Sequence, residues 1–159
     1  MKKTVTILLS VFLIIAGILL WWFSDTQVLK RHTEALAKHF IITKTDAKSS
    51  RAIKNQNFAE LLSKNFSGSL DLDEYTGQIT FDEAVTGHQY FALSCESSQA
   101  SVSDIEITSI TDATATIEAV FKVSIIMPGG RTYNESSQAS LAWKKTAKKL
   151  WKLETITLK

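Results

Sequence analysis

Between Ala113 and Ile126 the chain alternates residue by residue, and this stretch constrains the fold more than any other. Ala115, Ile117, Ala119, Phe121, Val123 and Ile125 share one face, while Thr114, Thr116, Glu118, Lys122 and Ser124 share the other. Val120 and Ile126 are the exceptions. A period of two with one apolar side is the pattern of a half-buried antiparallel strand. A strand of this length exceeds the usual run, and it is expected to bend across a core with neighbouring elements on its concave side. The flanks supply its partners. Val102 to Ile110 reads as one strand, Thr111-Asp112 as a turn, and Pro128-Gly129-Gly130 as a hairpin turn. Tyr133 to Trp143 returns with Tyr133, Ala139, Leu141 and Trp143 in one alternating set, Lys144 to Lys149 forms a basic turn, and Leu150 to Leu158 is the last strand.

Upstream, the period lengthens to that of a helix. Ser24 to Thr43 repeats Val28, His32, Ala35, Leu36, His39 and Phe40 at three- and four-residue steps. Ser49 or Ser50 is placed to cap a second helix near Arg51 to Asn65, with Ile53, Phe58, Leu61 and Leu62 on its apolar side. Ser67-Gly68-Ser69 breaks that pattern, Leu70 and Leu72 alternate with Asp71 and Asp73 as a short strand, and Gly77 turns the chain. A third helix opens at Thr80-Phe81-Asp82-Glu83, the spacing of a capping box. Phe81, Val85, His88, Phe91 or Ala92, and Cys95 mark its buried side. Three helices with a short strand among them, followed by an antiparallel meander, make an α+β domain. A chain of 159 residues with 45% apolar content suffices for one such core.

The N-terminus addresses location. Residues 4–23 carry no charge and match the roughly 20 residues that a membrane-spanning helix needs. Lys2 and Lys3 precede the run, and Trp21 and Trp22 stand where an interfacial aromatic belt belongs. The competing reading is a cleaved signal peptide, whose apolar core is shorter and ends in small residues. Here the run ends in Trp-Trp-Phe, which favours an uncleaved anchor. The expected layout is a cytoplasmic tail 1–3, an anchor 4–23 in the inner membrane, and a domain 24–159 on the periplasmic or extracellular side. The helix after the anchor is expected to continue it, because no Gly or Pro intervenes.

The strand pieces Asp104 to Ile110 and Ala113 to Ile117, with the ending Trp151-Lys152-Leu153-Glu154-Thr155-Ile156, resemble the nuclear transport factor 2-like (cystatin-like) superfamily. The resemblance covers about Asp25 to Leu158, the size of one ordinary domain. It implies a cone of about three helices packed on a curved antiparallel sheet. That superfamily holds isomerases, cyclases and dehydratases beside protein-binding and secretion-apparatus members, so fold alone assigns no activity.

Candidate chemistry is sparse. His88 lies on the apolar side of the third helix, where a cone would point it into a pocket with Phe81, Phe91 and Phe121; a core histidine satisfied by backbone is the plainer reading. Asp71, Asp73, Asp82 and Glu83 have ordinary explanations as outward strand residues or first-turn helix charges. His32 and His39 lack the spacing of a helical metal pair, Cys95 has no partner cysteine, and no cofactor or metal is expected. The net charge of +2 falls to zero without Lys2 and Lys3, which gives nucleic acid no general field. From these readings the expected role is a membrane-anchored envelope binding or assembly module without catalysis, taking an envelope protein or a small apolar ligand. A homodimer through the sheet face would bury Val120, Tyr133 and Trp143. The alternatives are a small isomerase or cyclase-type enzyme with its pocket near His88, and a secretion-apparatus subunit.

Overall fold

The computed structural model describes residues 2–72 and 75–159, and the side chains of residues 11–71 and 76–159. The expectations resting on Met1, on the side chains of Lys2 and Lys3, and on Asp73 lie outside the described residues. The chain divides into two compact units, residues 1–32 and 33–159.

The first unit holds α1 (Lys2–Trp22) and the first half of α2 (Asp25–His39). Val11 to Phe23 expose most of their large apolar side chains. The expected unbroken helix is interrupted at Phe23-Ser24. The Ser24 hydroxyl donates to the Trp21 carbonyl at 2.7 Å, a local bond that competes with the helical ladder. Arg31 lies over the Trp22 ring at 4.6 Å and donates to the Trp22 carbonyl at 2.9 Å. Among the described residues no single helix is long and apolar enough to cross a membrane, although Val11–Trp22 and Asp25–His39 pass that test together as a bent pair.

The second unit is helices packed on one six-stranded sheet. After α2 come α3 (Lys48–Leu61), β1 (Leu62–Leu72), β2 (Tyr75–Thr80), α4 (Phe81–Ser94), β3 (Ser97–Ile110), β4 (Thr114–Ile126), β5 (Thr132–Lys145) and β6 (Trp151–Leu158). The sheet order is β2-β1-β6-β5-β4-β3, with every neighbour antiparallel except β1 and β6. The sheet is open, with β2 and β3 as its edges, and is not curled into the cone that the resemblance implied.

One row crosses all six strands: Ile79, Gly68, Ile156, Leu141, Ile117 and Ile107. Leu141 and Ile117 are fully buried, and Trp143 and Leu153 nearly so, which places the densest packing at the middle of the sheet. A Cβ on Gly68 would stand 2.6 Å from Ile79 Cγ1 and 3.3 Å from Ile156 Cγ2, so the glycine makes room for its two cross-strand neighbours.

The long strand lies as the alternation predicts, with Ala115, Ile117 and Ala119 buried. Its partner β3 carries two register shifts, one between Ser103 and Glu106 and one between Ile107 and Ser109. Asp104 sits at the first with φ 54°. Each extra residue restores an apolar side chain to the inner face, the usual effect of a bulge. The Pro128-Gly129-Gly130 turn forms with φ 92° and 82° at the two glycines, a conformation open to glycine at little cost.

Several local expectations are corrected. The buried stripe of α2 is Leu29, Thr33, Leu36 and Ala37, so Val28 and His32 sit at its margin. Ala47, not Ser49 or Ser50, is the N-cap of α3, and it makes no side-chain cap bond. Ile53 on α3 is exposed. The helix also ends four residues early, because β1 begins at Leu62 to pair with β6. Gly77 does not turn the chain; it pairs with Leu70 inside the β1–β2 hairpin. The capping box forms as read: Glu83 N donates to Thr80 Oγ1, and the Glu83 carboxylate takes the Thr80 N–H at 2.8 Å.

Arg51 ties the helical layer together. Its Nη1 donates to the carbonyls of Ala92 and Cys95 at 2.8 and 2.9 Å, and its other nitrogens reach the carbonyls of Asp46 and Thr43. These include carbonyls at the end of α4 that have no helical partner.

Candidate active site

Helices and sheet form a cavity of about 510 Å³ in the second unit, partly open to solvent and within the range of small-molecule sites. Leu36, Phe40, Phe58, His88 and Phe91 line its helical side, and Phe66, Phe121, Ile125, Leu153 and Ile156 line its sheet side. The wall is apolar almost throughout.

His88 is buried and held on every side. Its ring stacks on Phe58 at 4.5 Å between centroids and meets Phe40 edge-on at 4.9 Å. Nε2 lies 3.1 Å from the His39 carbonyl oxygen and Nδ1 lies 2.8 Å from Asn55 Oδ1. A carbonyl only accepts, so Nε2 carries a proton. Burial pushes the His88 pKa down, with the His39 carbonyl opposing and the neighbouring His39 charge adding to it. The Asn55 side-chain amide is the partner of Nδ1. Both nitrogens are therefore occupied. His88 pins α4 to α3 and to the end of α2, and it offers the cavity only its ring.

Of the residues expected in the pocket, His88, Phe91 and Phe121 line it and Phe81 does not. Phe81 is the first residue of α4 and lies beneath the Lys64 ammonium at 4.2 Å, outside the cavity lining. Asp71 accepts from Thr76 Oγ1, and Glu83, although it borders the cavity, is engaged by Thr80. Of the residues expected on a dimer face, Tyr133 is exposed and Val120 half-buried, but Trp143 is buried in its own core opposite Ala115.

Sequence reasoning missed Glu135 and Ser137. Both line the cavity from β5. Ser137 is only 5% exposed, pairs with Phe121, and donates its hydroxyl proton to Glu135 Oε1 at 3.2 Å. Glu135 pairs with Val123, on the same inward row. The one signal was parity, which Tyr133, Glu135, Ser137, Ala139, Leu141 and Trp143 share. Glu135 is itself exposed, as are Tyr133, Asn134 and Ser136 beside it, so it stands at the solvent-facing end of that row.

No protein-family model matches the chain, and no curated protein does. Solved structures do. A protein of Novosphingobium aromaticivorans provisionally named a scytalone dehydratase aligns with a TM-score of 0.67 at 12% identity, covering 85% of this chain and 83% of its own. A second protein of that organism, provisionally named an aromatic ring hydroxylase, gives 0.68 at 14%, covering 84% and 87%. A nuclear transport factor 2-like superfamily protein of Salmonella enterica gives 0.53 at 12%, covering 65% and 75%. The chain thus has the nuclear transport factor 2-like, cystatin-like fold. These likenesses stand against the expectation of a binding or assembly module without catalysis. Two structures that share the fold over most of their length bear enzyme names.

Proposed function

We propose that the domain is a small enzyme of isomerase, cyclase or dehydratase type, moving a proton within an apolar substrate held in the cavity. Glu135 is the proton-transferring group and Ser137 orients it. The observation that carries this reading is a carboxylate, steadied by a buried hydroxyl, in the wall of an otherwise apolar cavity. General acid–base catalysis needs such a group within reach of the substrate, and a bound apolar substrate would displace water from around the exposed Glu135. His88 shapes the wall and takes no proton. The dehydratase name of one similar structure agrees with a proton-transfer chemistry on this fold. Residues 4–23 hold the enzyme at a membrane with the domain on the outer side; their apolar run and the Trp22–Arg31 contact at its end support this placement.

The test is a ligand-observed NMR screen of small apolar alcohols and ketones, with each binder then followed in D₂O for deuterium incorporation or loss of water. Exchange is expected for at least one binder, slowed about 10²-fold or more in Glu135→Gln. Equal rates in the two proteins, or no exchange with any binder, would remove the enzyme reading.

A further inference from the structure

The polar groups in the cavity wall have partners, with one exception. Glu83 is engaged by Thr80, both His88 nitrogens are occupied, and the Ser137 proton goes to Glu135. Lys122 also borders the cavity, but it lies between Phe121 and Val123 on β4, so strand alternation turns its side chain to the outer face beside Ser101 and Ser136. What remains is the Glu135 carboxylate. Its Oε1 takes the Ser137 proton, and among the described residues no lysine or arginine forms an ion pair with it. The surrounding chain offers no counter-charge either: from Phe66 to Val120, covering most of β1 with β2, α4 and β3, there is no lysine or arginine at all.

A carboxylate is an acceptor only. Set at the solvent-exposed edge of an apolar space, it gains from a donor and repels an anion, and both effects grow when a bound ligand displaces the water there. We infer that the cavity selects compounds with an apolar body and one hydrogen-bond donor head, a protonated amine or an alcohol, set at Glu135, and turns away carboxylates of the same size. This names the substrate class of the site proposed above and rests on that cavity being the substrate site. An alcohol head fits the proton-transfer reading directly, because its hydroxyl meets the group proposed to move the proton.

The probes are 2-naphthylmethylamine, 2-naphthylmethanol and 2-naphthoate, which share one two-ring body and differ in the head. Each is titrated into the full chain in maltoside micelles by equilibrium dialysis, with empty micelles as the blank. The amine and the alcohol are expected to bind at least about tenfold tighter than the naphthoate, the scale of one charge-assisted hydrogen bond. Glu135→Gln should shrink the amine-over-naphthoate ratio at least about fivefold, and Glu135→Lys should reverse it. Equal binding of all three, or a ratio unchanged in both variants, overturns the inference alone. No binding of any probe overturns it together with the enzyme reading. A preference that depends on Glu135, in a protein that exchanges no substrate proton, supports the inference and sinks the enzyme reading.

Discussion

Gly68→Ala adds one methyl group to the tightest point of the row that crosses the sheet. The new Cβ would stand 2.6 and 3.0 Å from Ile79 Cγ1 and Cδ1 and 3.3 Å from Ile156 Cγ2. Cγ1 is too near the backbone to swing clear, so Ile79 must leave its rotamer or β2 must shift. Overpacking of this kind costs about 1–3 kcal/mol, while replacing a strand glycine returns about 0.5–1 kcal/mol of chain entropy. The net loss is about 1–2 kcal/mol, or about 4–8 °C in Tm for a domain of this size. Urea denaturation followed by tryptophan fluorescence reports it, since Trp143 and Trp151 are buried in the core. The slope of the transition should not change. A double-mutant cycle with Ile79→Ala isolates the contact, and the alanine at position 68 should cost about 1 kcal/mol less in the Ile79→Ala background. If Gly68→Ala is as stable as the parent, or its penalty is the same with and without Ile79, the steric account of the glycine is wrong.

Three further outcomes follow from the contacts described. Burial is the main cause holding both His88 and His39 below the ordinary imidazole value of 6.5, so the unfolded chain takes up these protons first. Stability should be full above about pH 6.5 and decline as the pH drops through it, and His88→Gln should flatten that decline in urea midpoints measured against pH. Asp46 is held down to about 2 from 3.8, first by the hydrogen bond from Lys54 at 2.6 Å and then by the Thr43 amide. Its contribution is present above pH 3.8 and fades as the pH falls toward 2, and Asp46→Asn should remove that acid limb. Arg51→Lys keeps the charge but cannot reach four carbonyls from one ammonium, so it should cost about 1–3 kcal/mol in the same denaturation assay.

The meander was legible because its strands obey one rule, a strict period of two, and the β4–β5 pairing carries no register shift. The capping box was legible because it is local. What the sequence hid is where the period slips. Val102, Ile105, Ile107 and Ile110 advance by three, two and three, and Trp151, Leu153, Ile156 and Leu158 by two, three and two. Each step of three marks a register shift in the structure, at β3 and at β6. The extent of α3 was misjudged because Leu61 and Leu62 fit a helix face as well as a strand, and pairing with β6 decides the matter. Phe81 and Phe91 look alike in a helical pattern, but the former stands at the helix start and only the latter reaches the cavity. Glu135 was not legible because it lies in the exposed first half of β5, where a charge looks like ordinary surface and only the tertiary fold brings it to the cavity.

The joints between layers carry a consequence for motion. Helix α3 ends at Leu61 and β1 starts at Leu62; β2 ends at Thr80 and α4 starts at Phe81. Neither joint contains a loop residue, so a helix cannot swing away without pulling on the strand that continues it. With Arg51 and His88 fastening the same helices to one another, the wall has no part free to act as a hinged lid. The cavity is already partly open to solvent, so entry asks for no such swing and for no more than rings such as Phe40, Phe91 and Phe121 turning in place. Ligand entry should then follow the pace of side-chain reorientation, well ahead of the microsecond-to-millisecond pace of a moving domain.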